Sequence, residues 1–245
     1  MKIEKALYLF PVNISDAPLT GVLPAINLEI VKEIKYFIVE NVRTARRFLK
    51  KCNPGIDISS LTFYELNGHT QEREVSAFLQ PLRLGSAMGL MSEAGCPGVA
   101  DPGALPVSIA QEEGLRVIPL SGPSSILMSL MASGLNGQRF AFHGYLPVDT
   151  KEREFKIKEL ENQSRRDDMT QIFIETPYRN SKMLESLLKT LRGDTRLCVA
   201  TGVTDPEKEK IMTKSISQWH ETGYNIEKVP TVFLFHGLNT GINRK

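Results

Sequence analysis

Short β-type runs alternate with helical stretches through the first half of this chain, and that alternation decides what it can fold into. The runs are 6–10 (ALYLF), 36–40 (YFIVE), 61–65 (LTFYE), 87–91 (AMGLM) and 115–120 (LRVIPL). Helical spacing of apolar residues fills the gaps at about 23–34, 42–52, 71–79 and 104–113. Strand, helix and strand in repetition predict βαβ units, a largely parallel sheet and the α/β class. A further apolar helix is expected at about 124–133. The second half predicts strands at 140–144, 171–175 (QIFIE), 196–200, 210–215 and 231–235 (TVFLF), with helices near 151–163 and 182–191. Ten strands fit two sheets of five better than one sheet of ten. Two α/β domains follow, 1–120 with a parallel sheet and 121–245 with a mixed one, divided near Ser121 in SGPSS.

Composition removes several alternatives. Of 245 residues, 41% are hydrophobic and 24% charged, so the chain can build real cores without disulfide or metal staples. A net charge of +2 gives no bulk attraction for polyanions, so any nucleic-acid site must be local. The three cysteines, Cys52, Cys96 and Cys198, match neither a disulfide framework nor a zinc knuckle. That usage predicts a reduced, cytoplasmic protein. The apolar run near the N-terminus is cut by Pro11 and is too short for a signal-peptide core. The most apolar segment, 124–135 (SSILMSLMASGL), is far short of a membrane span and reads as a buried helix. His69, His143, His220 and His236 lack metal-ligand spacing, so no metal site is expected. There is no GK[ST] and no G-x-S-x-G. The first strand ends in FPVN without glycine, which disfavours the usual dinucleotide turn.

Three segments carry chemistry. Residues 91–103 (MSEAGCPGVADPG) place three glycines and two prolines after the fourth strand, where ligands bind in open parallel sheets. Glycine admits close backbone approach, and Asp101-Pro102 reads as a helix N-cap and first turn. Cys96 is either a reactive thiol near a helix start or a packing residue. The segment 120–125 (LSGPSS) repeats the pattern after the fifth strand, with Ser124 or Ser125 available as a cap. In 39–52 (VENVRTARRFLKKC), Arg43, Arg46, Arg47, Lys50 and Lys51 fall on one helical face. That face is either simply solvated or a phosphate-binding stripe.

These segments resemble, in order, the motifs of the tetrapyrrole methylase superfamily. SEAGCPGVADPG at 92–103 is similar to its SDAGTP-x-x-SDPG signature. The nearest branch is the bacterial small-subunit rRNA 2′-O-ribose methyltransferases. There ENVRTARRFL (40–49) matches EDTR-x-x-RR-x-L, YELN (64–67) matches HEHN, and LSGPSS matches PGPSA. FHGYLP (142–147) matches F-x-GFLP, and ETPYR (175–179) matches ESPHR. The resemblance implies two α/β domains with S-adenosylmethionine in a cleft between them, a homodimer, and a methyltransferase. Carried over by position, the cofactor would lie against Glu93, Ala94, Gly95, Gly98, Ser124, Ser125, Glu175 and Thr176. Gly202, Thr231 and Pro11 complete that set. Arg43, Arg46, Arg47 and Asn67 fall where substrate RNA would bind. Two stretches depart from the branch: FPVNISD (10–16) replaces its TPIGN-type loop, and Ala200-Thr201-Gly202 replaces its ARE.

Methyl transfer from a sulfonium to a hydroxyl needs in-line positioning and profits from a general base. Glu40 and Glu65, each at a strand end, are the candidates for that base, with capping or ion pairing as their alternative duties. Three functions stay open: a methyltransferase acting on ribosomal RNA at a ribose 2′-hydroxyl, one acting on a small molecule such as a tetrapyrrole, and a catalytically silent cofactor- or RNA-binding module.

Overall fold

A computed structural model describes residues 3–68, 70–222, 225–226 and 228–238. The chain divides into two compact units, 1–124 and 125–245. The division falls after Ser124 rather than at Ser121 because the LSGP turn is held by the first unit. Asn27 Nδ2 donates to the Ser121 carbonyl at 2.8 Å, and Cys96 Sγ lies 3.5 Å from the Pro123 carbonyl.

The first unit contains β1 (Leu7–Leu9), α1 (Leu19–Val22), α2 (Ala25–Lys32), β2 (Tyr36–Val39), α3 (Val42–Cys52), β3 (Thr62–Glu65), α4 (Glu72–Phe78), α5 (Gln80–Arg83), β4 (Met88–Met91), α6 (Ala104–Glu112) and β5 (Val117–Pro119). Its five strands run parallel in the order β3-β2-β4-β1-β5. Side chains alternate between the faces, as the strand period requires. Tyr8, Phe10, Phe37 and Val39 join a core with α2 and α3. Leu7, Ile38, Met88 and Leu90 join another with Val75 on α4, Leu79 between α4 and α5, Leu82 on α5 and Ala110 on α6. A sheet covered on both faces reads in sequence as near-continuous apolar runs, which is why these strands were legible. The order also fixes where a ligand can enter. The chain leaves β2 toward β3 but leaves β4 toward β5, so the connections diverge between β2 and β4. That divergence is a topological switch point, where such sheets open a crevice at their carboxyl ends.

The second unit contains α7 (Ser125–Ser133), β6 (Phe140–Tyr145), α8 (Thr150–Asp167), β7 (Thr170–Glu175), α9 (Asn180–Thr190), β8 (Arg196–Thr201), β9 (Lys210–Ser215), α10 (Ile216–Thr222) and β10 (Thr231–His236). Its sheet is mixed, in the order β6-β7-β10-β8-β9, with only β6 and β7 parallel. Phe173, Phe233, Phe235 and Trp219 pack with Ile157, Leu160, Met183 and Leu187. The indole N–H of Trp219 donates to the Leu197 carbonyl at 2.9 Å. The expected burial of α7 holds for one side only. Ser129, Leu130 and Ser133 are buried, whereas Leu127 and Met131 are 51% and 83% exposed. Its serines, Ser125, Ser129 and Ser133, fall on one face at i, i+4 and i+8, and Leu127 and Met131 lie off that face. None of the described helices is long and apolar enough to cross a membrane.

Candidate functional site

At the switch point, Glu40 closes β2 and the 92–103 loop leaves β4. The loop's path follows from its glycines. Gly95 and Gly98 take φ of +73° and +82°, conformations that a side chain would strain. Gly95 forms a two-bond bridge with Val12, N–H to carbonyl in both directions at 2.9 and 3.0 Å. The glycine-free FPVN turn is therefore pinned to the loop through Val12. Pro11 is buried, and it packs directly against Gly122.

Asp101 is not the helix N-cap expected from DPG. Helix α6 starts at Ala104 with Gly103 at its cap position and no side-chain cap. Asp101 Oδ1 instead accepts the Gly98 and Gly103 N–H groups at 2.8 and 2.7 Å, tying the loop into a closed ring. Its Oδ2 is buried and meets no donor among the described residues. A Cβ on Gly103 would lie 2.8 Å from Oδ1. The sequence signal for this role was the spacing of Asp101 between two glycines.

A small cavity opens here, lined by Glu40, Leu66, Leu90, Met91, Ser92, Pro97, Asp101, Pro102 and Gly103. Glu40 is half-buried, and its Oε2 accepts the Glu93 N–H at 3.0 Å. Burial, then the neighbouring Glu93 and Asp101 carboxylates, push its carboxyl above the usual carboxylate range, while the Glu93 N–H pulls it down. Glu93 Oε1 accepts the Thr44 hydroxyl at 3.3 Å, linking the loop to α3. The Cys96 thiol is pushed up by burial and by Asp101, which suits packing and not nucleophilic attack. Glu65 ends β3 exposed and outside the cavity. Asn67 sits just beyond it, its N–H donating to Thr70 Oγ1. Ala94 is exposed in the loop.

Helix α3 starts where Asn41 accepts the Arg43 and Thr44 N–H groups. Ala45, Phe48 and Leu49 face the core, and Arg43, Arg46, Arg47, Lys50 and Lys51 all stand exposed on the opposite side. Lys50 is drawn to the Ile56 carbonyl at 2.7 Å, and Arg46 lies 5.3 Å over the Phe63 ring. Arg43 and Arg47 make no ion pair among the described residues.

In the second unit, Glu175, Thr231 and Thr201 lie side by side in register at one end of the sheet. Glu175 is buried, and its Oε1 accepts from Thr176 N–H at 2.6 Å and from Arg179 Nε and Nη2 at 2.9 and 2.6 Å. The Thr231 hydroxyl accepts from Asn180 Nδ2, while Asn180 Oδ1 is buried and meets no donor among the described residues. Gly202, with φ of +56°, turns the chain away from Thr201 and backs onto the Lys208 carbonyl. Ser124 and Ser125 are half-buried where the LSGP turn enters α7. Arg179 and Asn180 are the site-end residues that the sequence reading left without a role. Among the described residues no group of three or more His, Cys, Asp and Glu gathers; His69 lies outside them. His143 Nε2 instead meets Gln171 Oε1 at 2.6 Å.

No protein-family model matches the chain. A ribosomal RNA small subunit methyltransferase I from Vibrio cholerae serotype O1 is 30% identical over 233 residues, which are 94% of this chain and 77% of that protein. A protein of the same name from Haemophilus influenzae is 32% identical over 142 residues, 58% of this chain and 49% of that protein. Among solved structures, the methyltransferase CobJ superposes with a TM-score of 0.62 at 16% identity, over 98% of this chain and 96% of that one. A uroporphyrin-III C-methyltransferase from Thermus thermophilus, solved with S-adenosylhomocysteine, gives 0.56 at 15% identity over 94% and 97%. The structural likeness carries the fold, the sequence likeness carries the family, and both agree with the order of motifs: the chain belongs to the ribosomal RNA small subunit methyltransferase I family, methyltransferases built on the tetrapyrrole methylase fold.

Proposed function

We propose that this chain transfers a methyl group from S-adenosylmethionine to a ribose 2′-hydroxyl of ribosomal RNA, working in the cytoplasm as a homodimer. The observation that carries the reading is Glu40, set at the switch point against a glycine-built loop in a chain of this family. The residues suit the cofactor. Bare backbone at Gly95 and Gly98 admits close approach, and the carboxylates of Glu40, Glu93 and Asp101 suit a ligand bearing ammonium and sulfonium charge. Glu93, Ala94, Gly95, Gly98 and Ser124 in the first unit are read as its contacts, and Ser125, Glu175, Thr176, Gly202 and Thr231 in the second are read the same way. When bound, it supplies an electrophilic methyl on a positively charged sulfur. Glu40 would accept the proton of the ribose hydroxyl that receives the methyl. Glu65 stands apart from the cavity, so the base is assigned to Glu40 alone. The Leu127 and Met131 edge of α7 offers an apolar face for a second copy.

Titration with S-adenosylhomocysteine, with NAD as control, tests the cofactor. Ligand at 100 times its dissociation constant should stabilise the protein by about 2.7 kcal/mol, and NAD should not. No stabilisation by the first would remove the reading. Arg43, Arg46 and Arg47 are read as RNA phosphate contacts, with Asn67 near the acceptor. Replacing the three arginines by alanine should weaken RNA binding and flatten its log–log salt dependence by about 2, at roughly 0.7–0.9 per lost contact. An unchanged slope would leave α3 as a solvated face.

A further inference from the structure

Glu40 and Asp101 share one cavity, walled by the apolar Leu66, Leu90, Met91 and Pro97. Their bonding is unequal. Asp101 Oδ1 takes two backbone N–H groups, but Oδ2 is buried and meets no donor among the described residues. Glu40 takes a single N–H, from Glu93, on Oε2. A buried acceptor without a donor is costly. Two carboxylates in one apolar enclosure are costlier still when both are ionised. One proton on the pair relieves the second cost by removing a charge. Asp101 accepts two N–H groups and Glu40 only one, so Glu40 is the member that carries the proton. The upward displacement of the Glu40 carboxyl by burial, Glu93 and Asp101 points the same way. The other charged or titratable groups on the adjoining elements are Glu93 and Cys96 in the loop, Arg43 at the start of α3 and Glu65 at the end of β3. None of these lines the cavity.

We propose that Glu40 and Asp101 act as one coupled acid–base pair across this cavity, with Asp101 the positioning residue that sets how tightly Glu40 holds its proton. The role in catalysis rests on the reading of Glu40 as the hydroxyl's base. Transfer needs Glu40 without its proton, so the pair places the acid limb of the rate above the ordinary carboxylate range.

The test is a carbon-13 NMR titration of the full chain, ligand-free, with labelled glutamate carboxyls and Glu40 assigned by its loss in Glu40→Gln. Glu40 should titrate above the other glutamates, and in Asp101→Asn its midpoint should move to lower pH while theirs stay. Asparagine keeps an oxygen for the Gly98 and Gly103 N–H groups, so the loop is retained. A Glu40 midpoint among the other glutamates, or one that Asp101→Asn leaves in place, overturns the pair. Single-turnover methyl transfer across pH is read separately. An acid limb that moves down in Asp101→Asn supports the pair and its catalytic role together. The NMR shift without any methyl transfer retains the pair and removes the functional reading.

Discussion

Arg179→Ala should destabilise the second unit by about 3 kcal/mol, measured by urea unfolding. The Glu175 side chain is only 2% exposed, and Arg179 supplies two of the three hydrogen bonds on its Oε1. Removing the guanidinium leaves a buried carboxylate with one backbone N–H. Breaking a buried pair from one side typically costs about 3–5 kcal/mol. Arg179 is itself 30% exposed, so water enters more easily than in a sealed core and the lower end applies. Adding Glu175→Gln should return much of the loss, because the stranded charge is then gone. Arg179→Lys should fall between, keeping charge but losing the two-pronged geometry. A loss under about 1 kcal/mol for Arg179→Ala would sink the argument. The same variants divide the two roles of Glu175. Destabilisation with unchanged S-adenosylhomocysteine affinity makes the ion pair architectural, whereas joint loss places Glu175 against the ligand.

The strands were legible because burial on both faces writes itself as apolar runs, and even the polar β9 was found at 210–215. Helices were harder where punctuation was ambiguous. The helix expected over 23–34 is α2 alone, the short α1 at Leu19–Val22 precedes it across Leu23–Pro24, and Pro81 marks the start of a separate α5. Helix α10 was not read at all. It carries two buried anchors, Ile216 and Trp219, in seven residues and follows β9 with no turn residue between. That is too little periodicity to see against the flanking strand. At the site, turn chemistry exposed the loop but not its bonding. Asp101-Pro-Gly fits an N-cap by local rules, but the positive-φ turn at Gly98 brings its N–H to the same oxygen from three residues away. Pairing of Glu40 with Asp101 is likewise invisible in sequence, since it depends on β2 and β4 lying side by side while distant in the chain.

Gly122→Val should open the first unit's loop cluster, at about 3 kcal/mol of stability, the upper end for overpacking. A Cβ at Gly122 would sit 2.3 Å from Pro11 Cβ and 2.7 Å from its Cγ, with Leu23 Cδ2 at 3.2 Å. The proline ring has no rotamer that clears the way. Its backbone cannot retreat either, because Val12 is held to Gly95 by two hydrogen bonds. The Ser121 and Pro123 carbonyls are tied to Asn27 and Cys96 on the other side. One of these ties must break, and each belongs to a turn proposed to hold the cofactor. S-adenosylhomocysteine affinity should therefore fall tenfold or more, equivalent to roughly 1.4 kcal/mol. Gly137→Ala is the matching control, since nothing lies within 4 Å of its added carbon. A Gly122→Val protein that kept both its stability and its ligand affinity would show that the Pro11 contact shapes nothing. Loss of stability alone would confine the contact to packing. Loss of affinity alone, at full stability, would mean that the turns yield locally and that their spacing serves the ligand before it serves the fold.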